Sequence, residues 1–291
     1  MAKDWCIGII GGSGLYGIAG IEDEQWLMID TPWGDPSDEI LFGTIEGVKV
    51  RFLPRHGRGH PISPTELNAR ANIDALKRAG CTDILAISAV GSLREEIEPG
   101  RFAVVEQFID NTRARPSTYF TSGFVTHVSM ADPVCPRLSE MAAKAISQCK
   151  GKLATGATYL AMEGPQFSTR AESHMYRAWG ADVIGMTGMP EAKLAREAEL
   201  PYALVGMATD YDCWRDSEDE VNVAQVVAQM QENGQLARDM VLQFIKNLPK
   251  TRKASPIDTA LDDAVITAPE EHDPALLAKL DAVAGRIIGK K

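Results

Sequence analysis

WCIGIIGGSGLYG, Trp5 to Gly17, is the stretch on which the fold turns. An apolar run from Trp5 to Ile10 leads straight into a glycine loop, Gly11 to Gly17. Gly12-Ser13-Gly14-Leu15-Tyr16-Gly17 fits the G-x-G-x-x-G spacing of a dinucleotide-binding unit, and Asp30 lies roughly where a ribose-binding acid would stand. Such a unit needs a crossover helix of about a dozen residues between its strands. Only a few residues separate Gly17 from the next apolar run at Trp26, and Gly20 interrupts them. The nicotinamide-cofactor reading therefore fails on length. Two readings remain open. The loop's N–H groups and the Ser13 hydroxyl cradle a free phosphate, or the loop is a tight turn of no chemical consequence.

On the C-terminal side, short apolar runs alternate with helical patterns, the order of an α/β protein whose sheet is flanked by helices. A strand-hairpin region is expected from Trp26 to Leu53. Ser63, Pro64 and Glu66 predict an N-cap, a first-turn proline and a capping-box acid. The helix they open buries Leu67, Ala71 and Leu76 and ends near Lys77, Arg78 and Gly80. Further strands are expected at Ile84 to Ile87, Phe102 to Ile109, Ala157 to Met162, Val183 to Ile184 and Tyr202 to Met207. Helices are expected at Arg137 to Cys149, from the capping pair Thr169 and Glu172 to Gly180, at Glu191 to Glu199, and at Val221 to Leu248 with a weak point near Gly234. Lys250 to Pro256 is basic and polar, like a linker. Beyond it, Asp273 and Pro274 open a short helix with Leu276, Leu277, Leu280, Val283 and Ile287 on one stripe, which must bury against its own core or a neighbouring subunit. The chain thus divides into residues 1–250 and an extension, residues 251–291.

Of the 291 residues, 45% are hydrophobic and 24% charged, which excludes a disordered chain and a disulfide-framework miniprotein. No apolar run reaches the ~18 residues of a membrane span, and Asp4 precedes an apolar stretch that runs directly into glycine, unlike a secretory signal. A net charge of -10 argues against a general nucleic-acid-binding role, while leaving room for a small anion in a local basic pocket. Cys6, Cys81, Cys135, Cys149 and Cys213 are scattered and form no C-x-x-C, so they read as free thiols in a reducing compartment, by default the cytoplasm.

Ligands in open α/β sheets gather beyond the carboxyl ends of strands. Residues expected just past apolar runs include Ser88-Ala89, Met186-Thr187 and Asp210-Tyr211-Asp212. Each alone is ordinary turn chemistry; three in one chain point to a site. The segment RFLPRHGRGH, Arg51 to His60, concentrates Arg51, Arg55, His56, Arg58 and His60 in an acidic chain, and suits an anion such as phosphate. His56 and His60 have helical metal-ligand spacing, but Gly57, Gly59 and Pro61 oppose the helix and no carboxylate completes a set, so no metal is expected. Asp210 and Asp212 stand two apart. On extended backbone they point to the same side, and their mutual repulsion raises one pKa. One acid then donates while the other accepts, the pattern that adenine N7 and its 6-amino group require. There is no G-x-x-x-x-G-K-[ST], H-E-x-x-H or G-x-S-x-G in the chain.

IIGGSGLYG, RHGRGHPISPTELNARANI, SAVGSLREEIEPG, MEGPQFSTRAE, MTGMPEAKLAREA and MATDYDCW, in that order, together resemble the trimeric purine nucleoside phosphorylase superfamily, most nearly its 5′-methylthioadenosine phosphorylase branch. The resemblance runs from about Ile7 to about Leu248; the tail beyond Lys250 does not align with it. It implies a single catalytic domain around a mixed, twisted sheet, ending near residue 250. It implies phosphate contacts at Ser13, Arg55, His56, Ser88, Ala89 and Thr187. Ser13 and Ser88 occupy positions that are often threonine, and both keep the hydroxyl. Met186 would back the ribose and Phe167 would pack near the purine, while Asp210 and Asp212 would read the base, with Asp210 as general acid. Ser168 and Val223 fall where this branch departs from the one that prefers 6-oxopurines. His127 matches a histidine that reaches into the neighbouring subunit's site. The implied reaction is phosphorolysis of 5′-methylthioadenosine to adenine and 5-methylthioribose 1-phosphate, serving purine and methionine salvage. Inorganic phosphate would be the co-substrate with no other cofactor, in a homotrimer or dimer of trimers. Adenosine or 5′-methylthioinosine as substrate, and a non-catalytic adenine-nucleoside-binding module, are the alternatives.

Overall fold

The computed structural model describes residues 4–12, 15, 20–215 and 223–288. Strands β1 (Cys6–Gly11), β2 (Glu22–Leu27), β3 (Ile40–Ile45), β4 (Val48–Pro54), β5 (Asp83–Ser92), β6 (Phe102–Asn111), β7 (Leu153–Met162), β8 (Val183–Gly185) and β9 (Tyr202–Asp210) form one mixed sheet in the order β2-β3-β4-β1-β5-β8-β7-β6-β9. β9 also pairs with β5, so the strands from β5 to β9 close on themselves. β1 runs parallel to both β4 and β5, and β2 starts as early as Glu22, which leaves no room for a dinucleotide-type crossover helix.

The central strands are buried on both faces, and their side chains alternate between two cores. Cys6 and Ile10 of β1, Ile84, Ala86 and Val90 of β5, and Leu204 and Ala208 of β9 face one core. α1 (Ala69–Arg78) and α4 (Gly188–Glu197) cover it, through Ile73, Leu76 and Leu194. Ile7 and Ile9, Leu85 and Ile87, and Ala203, Val205 and Met207 face the other. There α2 (Pro136–Gln148) and α5 (Val223–Lys246) supply Leu138, Ile146, Met240 and Phe244. α3 (Arg170–Ala178) starts with the predicted capping box, Thr169 with Glu172.

The structure corrects several expectations. Pro64–Glu66 is a separate 3-10 turn whose Ser63 hydroxyl bonds the Glu66 side chain, not the backbone; the helix proper is capped by Asn68, which accepts from the Ala71 N–H. Strand β5 does not stop at Ile87: pairing with β9 carries it to Gly91, so Ser88 and Ala89 lie within a strand and not beyond its end. Strand β9 stops at Asp210, and Asp212 has a left-handed backbone (φ 52°). The two acids therefore do not share an extended segment.

The extension is no free linker. Arg252 is 3% exposed and pairs with buried Asp83 and with Asp258. Arg286 pairs with buried Glu199 and with Asp262. The terminal stripe forms two short helices, α6 (Pro274–Lys279) and α7 (Gly285–Ile288), and Leu276, Leu280, Val283 and Ala284 enter the same core as α1 and α4. Desolvated carboxylates this well paired, together with the apolar stripe, fasten the tail to its own chain. No described helix is long and apolar enough to cross a membrane.

Candidate active site

One edge of β5 serves two neighbours in turn. It pairs with β1 up to Ala86 and with β8 only from Gly91, while β9 occupies the opposite edge throughout. Between those points the edge is open. Backbone alternation turns the Ile87 carbonyl and the Ala89 N–H toward that gap.

Arg55 fills part of it. Its backbone N–H, just past β4, donates to Gly11 O at 2.9 Å, which ties it to the start of the glycine loop. Its side chain is 2% exposed. Nη1 donates to Ile87 O (2.8 Å), while Nε and Nη2 grip the two oxygens of Glu191 (2.9 and 3.1 Å). Tyr202 of β9 donates its hydroxyl to the same Glu191 (2.7 Å). Burial works against the guanidinium's charge, but the Glu191 carboxylate outweighs it and holds the pKa above the ordinary value.

Thr187 and Ser88 meet beside this pair, with their hydroxyls 3.3 Å apart. Thr187 is the N-cap of α4, and its N–H and that of Gly188 both donate to the buried Tyr159 hydroxyl at 3.3 Å. His56 follows Arg55 into a turn through left-handed Gly57, where its ring stacks on His60 with centroids 4.1 Å apart. His56 Nδ1 lies 2.9 Å from Ile62 O, and a carbonyl only accepts, so this nitrogen carries the proton. Burial pushes the His56 pKa down to about 4, and the neighbouring Arg55 charge adds to the shift. At neutral pH the ring is uncharged and its Nε2 is a bare acceptor. No set of three metal-ligating side chains occurs among the described residues.

The other side of the site is acidic. Asp210 accepts from the Thr209 hydroxyl (2.7 Å) and from the Asp212 N–H (2.8 Å), a local turn that forces the reversal after β9. Both acids press on Gly91 of β5, where a Cβ would lie 3.0 Å from Asp210 Oδ1 and 3.6 Å from Asp212 Cβ. Asp212 is 8% exposed, and its Oδ2 is buried with no hydrogen-bond partner among the described residues. Burial raises its pKa; the nearby Ser173 hydroxyl pulls it back, and the Asp210 charge pushes it up again. The Cys213 thiol donates to Ser168 O at 3.2 Å, which brings the Phe167-Ser168 loop against the acidic turn. Phe167 itself is 44% exposed. Met186 packs on Gly164, where a Cβ would come within 2.5 Å of its sulfur. The Met186 carbonyl is held by Arg115, which also bonds Glu163 and the Met189 carbonyl.

The structure therefore gathers Arg55, His56, Ser88, Ala89 and Thr187 in one corner and Ser168, Asp210 and Asp212 in another. His127 stands apart, its ring exposed and its N–H held by Ala264 O (2.8 Å) of the extension. Ser13 and the Val223 side chain lie outside the described residues. Glu191, Tyr159 and Arg115 escaped the sequence reading. In the sequence Glu191 looks like a first-turn helix acid, and only its apolar neighbours Met189, Pro190 and Ala192 hint at burial.

A family model described as phosphorylase superfamily matches residues 6–246. S-methyl-5′-thioadenosine phosphorylase of Cereibacter sphaeroides is 55% identical over 284 residues, covering 97% of this chain and 98% of that one. A crystal structure of methylthioadenosine phosphorylase from an antarctic soil metagenomic library superposes with a TM-score of 0.89 at 43% identity, covering 97% of this chain and 99% of that one. A methylthioadenosine phosphorylase from Schistosoma mansoni, solved in complex with adenine, is 36% identical with a TM-score of 0.79 and covers 84% of this chain and 91% of its own. The chain belongs to the phosphorylase superfamily, among the S-methyl-5′-thioadenosine phosphorylases.

Proposed function

We propose that this chain cleaves 5′-methylthioadenosine with inorganic phosphate, releasing adenine and 5-methylthioribose 1-phosphate. The observation that carries the reading is the pairing of a donor-rich corner with an acidic rim across one strand, β5: Ser88 and Ala89 on one side, Gly91 under Asp210 and Asp212 on the other.

Phosphate binds in the corner through Arg55, the Ser88 and Thr187 hydroxyls, the Ala89 N–H and Ser13. His56, a bare acceptor, takes a hydrogen bond from the protonated phosphate oxygen. A phosphate oxygen attacks C1′ as the bond from C1′ to N9 breaks, and the sugar passes through an oxocarbenium-like state. The bonding electrons leave with the purine. Asp210 supplies a proton or a hydrogen bond at N7, and Asp212 accepts from the 6-amino group. A 6-oxopurine would turn an acceptor toward that carboxylate and be rejected. Met186 and Phe167 flank the nucleoside, with Ser168 and Val223 setting the preference for the 6-amino base. No metal or further cofactor enters the scheme.

We further assign a homotrimer or dimer of trimers in which the exposed His127 completes a neighbouring subunit's site, and a cytoplasmic location. The test is direct. The pure protein is incubated with 5′-methylthioadenosine, adenosine, 5′-methylthioinosine and inosine, with and without phosphate, and free base is measured. Phosphate-dependent adenine release, fastest from 5′-methylthioadenosine, is expected. Binding without release would indicate a non-catalytic module, and faster release from another nucleoside would move the substrate within the superfamily.

A further inference from the structure

Glu191 lies in the first turn of α4, where an acid ordinarily faces water and favours the helix N-terminus. Here it is 3% exposed. A buried carboxylate is costly unless its oxygens are fully bonded, and the bonds it makes all lead to one place. Both oxygens hold Arg55, and Tyr202 donates to one of them. With Ile87 O on Nη1, the guanidinium is fixed from two elements, α4 and β5. Of its five N–H donors, these contacts use three and leave one on Nη1 and one on Nη2. Ile87 adjoins Ser88, and its carbonyl shares an open strand edge with the Ala89 N–H.

We propose that Glu191 is a positioning residue for the anionic co-substrate: by gripping Nε and Nη2 it aims the remaining Arg55 N–H groups at the oxyanion held by Ser88, Ala89 and Thr187. The inference rests on the phosphorolysis proposed above. Without the grip, phosphate would have to order the arginine as it binds, and that cost appears as lost affinity. Tyr202 serves the same end one step further out, by holding the Glu191 carboxylate in plane. Among the described residues the hydrogen bonds of Glu191 run to Arg55 and Tyr202 and not to Ser168, Asp210 or Asp212, so nucleoside binding is spared.

Initial rates of adenine release from 5′-methylthioadenosine, with phosphate and nucleoside varied in turn, separate the two effects. Glu191→Asp keeps the charge and shortens the reach; it raises the KM for phosphate about tenfold or more and leaves the KM for nucleoside within about twofold. Glu191→Gln moves the same way. Tyr202→Phe, which leaves the Glu191–Arg55 contact in place, raises the phosphate KM about two- to fivefold. Arsenate in place of phosphate follows the same pattern. A phosphate KM unchanged in a folded Glu191 variant overturns the proposal. So does a fall in Glu191→Gln, which would make Glu191 a mere counter-charge, or an equal rise in both KM values, which would mark a structural role. If the Glu191 variants do not fold, Tyr202→Phe decides, and an unchanged phosphate KM there overturns it. Wild-type protein that releases no adenine refutes the proposed function instead. The rise in Tm induced by phosphate, present in wild type and reduced in the variants, then carries the test.

Discussion

Arg55 and Asp212 are both buried ionisable groups, 2% and 8% exposed, and the protein treats them in opposite ways. Arg55 is gripped by Glu191 and the Ile87 carbonyl, with its orientation settled before any ligand arrives. Asp212 keeps one buried oxygen that completes no hydrogen bond among the described residues, with the Ser173 hydroxyl near enough only to draw its pKa down. A buried polar group left unbonded costs about 1–3 kcal/mol. A ligand that supplies the missing donor recovers that cost as affinity. The basic corner is thus pre-organised and the acidic rim is left incomplete, which suits an invariant oxyanion on one side and a base that must be distinguished on the other.

The contrast can be broken most sharply at Asp210. Asp210→Ala should slow turnover of 5′-methylthioadenosine by about 10²–10⁴-fold, the usual contribution of a positioned acid, with the phosphate KM little changed. Wild-type turnover in steady-state kinetics would remove the acid from the mechanism. Arg55→Lys keeps the charge but cannot hold Glu191 and Ile87 O together. It should raise the phosphate KM on the order of 10²-fold and spare the nucleoside KM; a rise confined to the nucleoside would show that the corner is not where phosphate sits.

The third test concerns pH. His56 has a folded pKa of about 4, below its ordinary 6.5, so the unfolded chain binds the proton that the folded chain refuses. Its contribution to stability is complete above about pH 6.5 and is lost as pH falls toward 4. Between those limits wild type should lose roughly 2 kcal/mol more than His56→Gln, allowing for solvent screening. Denaturant unfolding at the two ends measures this, and equal losses would mean that the ring is not buried in its neutral form. The smallest effect is expected at the rim. Asp212→Asn should reduce the preference for 6-amino over 6-oxo nucleosides by about tenfold, the scale of one polar contact. An unchanged ratio of kcat/KM values would leave base reading to Asp210 alone.

The residue types at the candidate site are legible in the sequence. Arg55 and His56, Thr187 and Asp210 sit in short distinctive runs, and the structure sets Arg55 on Ile87 O, next to the Ser88 hydroxyl that meets Thr187. What misled the reading was local. Ser88-Ala89 looked like the end of a strand because small and polar residues interrupt the apolar run, yet pairing with β9 continues to Gly91. Asp210 and Asp212 looked like neighbours on extended backbone, whereas the Asp212 N–H folds back onto Asp210. Lys250 to Pro256 looked like a solvated linker because its composition is basic, but Arg252 finds its carboxylate 169 residues away at Asp83.

The amino-acid sequence by itself determined the α/β alternation, the failure of the dinucleotide reading and the residue types available to the candidate site. Periodicity, loop length and residue type are local properties. Only the tertiary structure decided that Glu191 locks Arg55 across 136 residues, that one edge of β5 stays open between two partners, and that the tail lies on its own core. The reason is physical: whether a charge is buried, and by what it is paired, depends on surfaces that the chain brings together only when it folds.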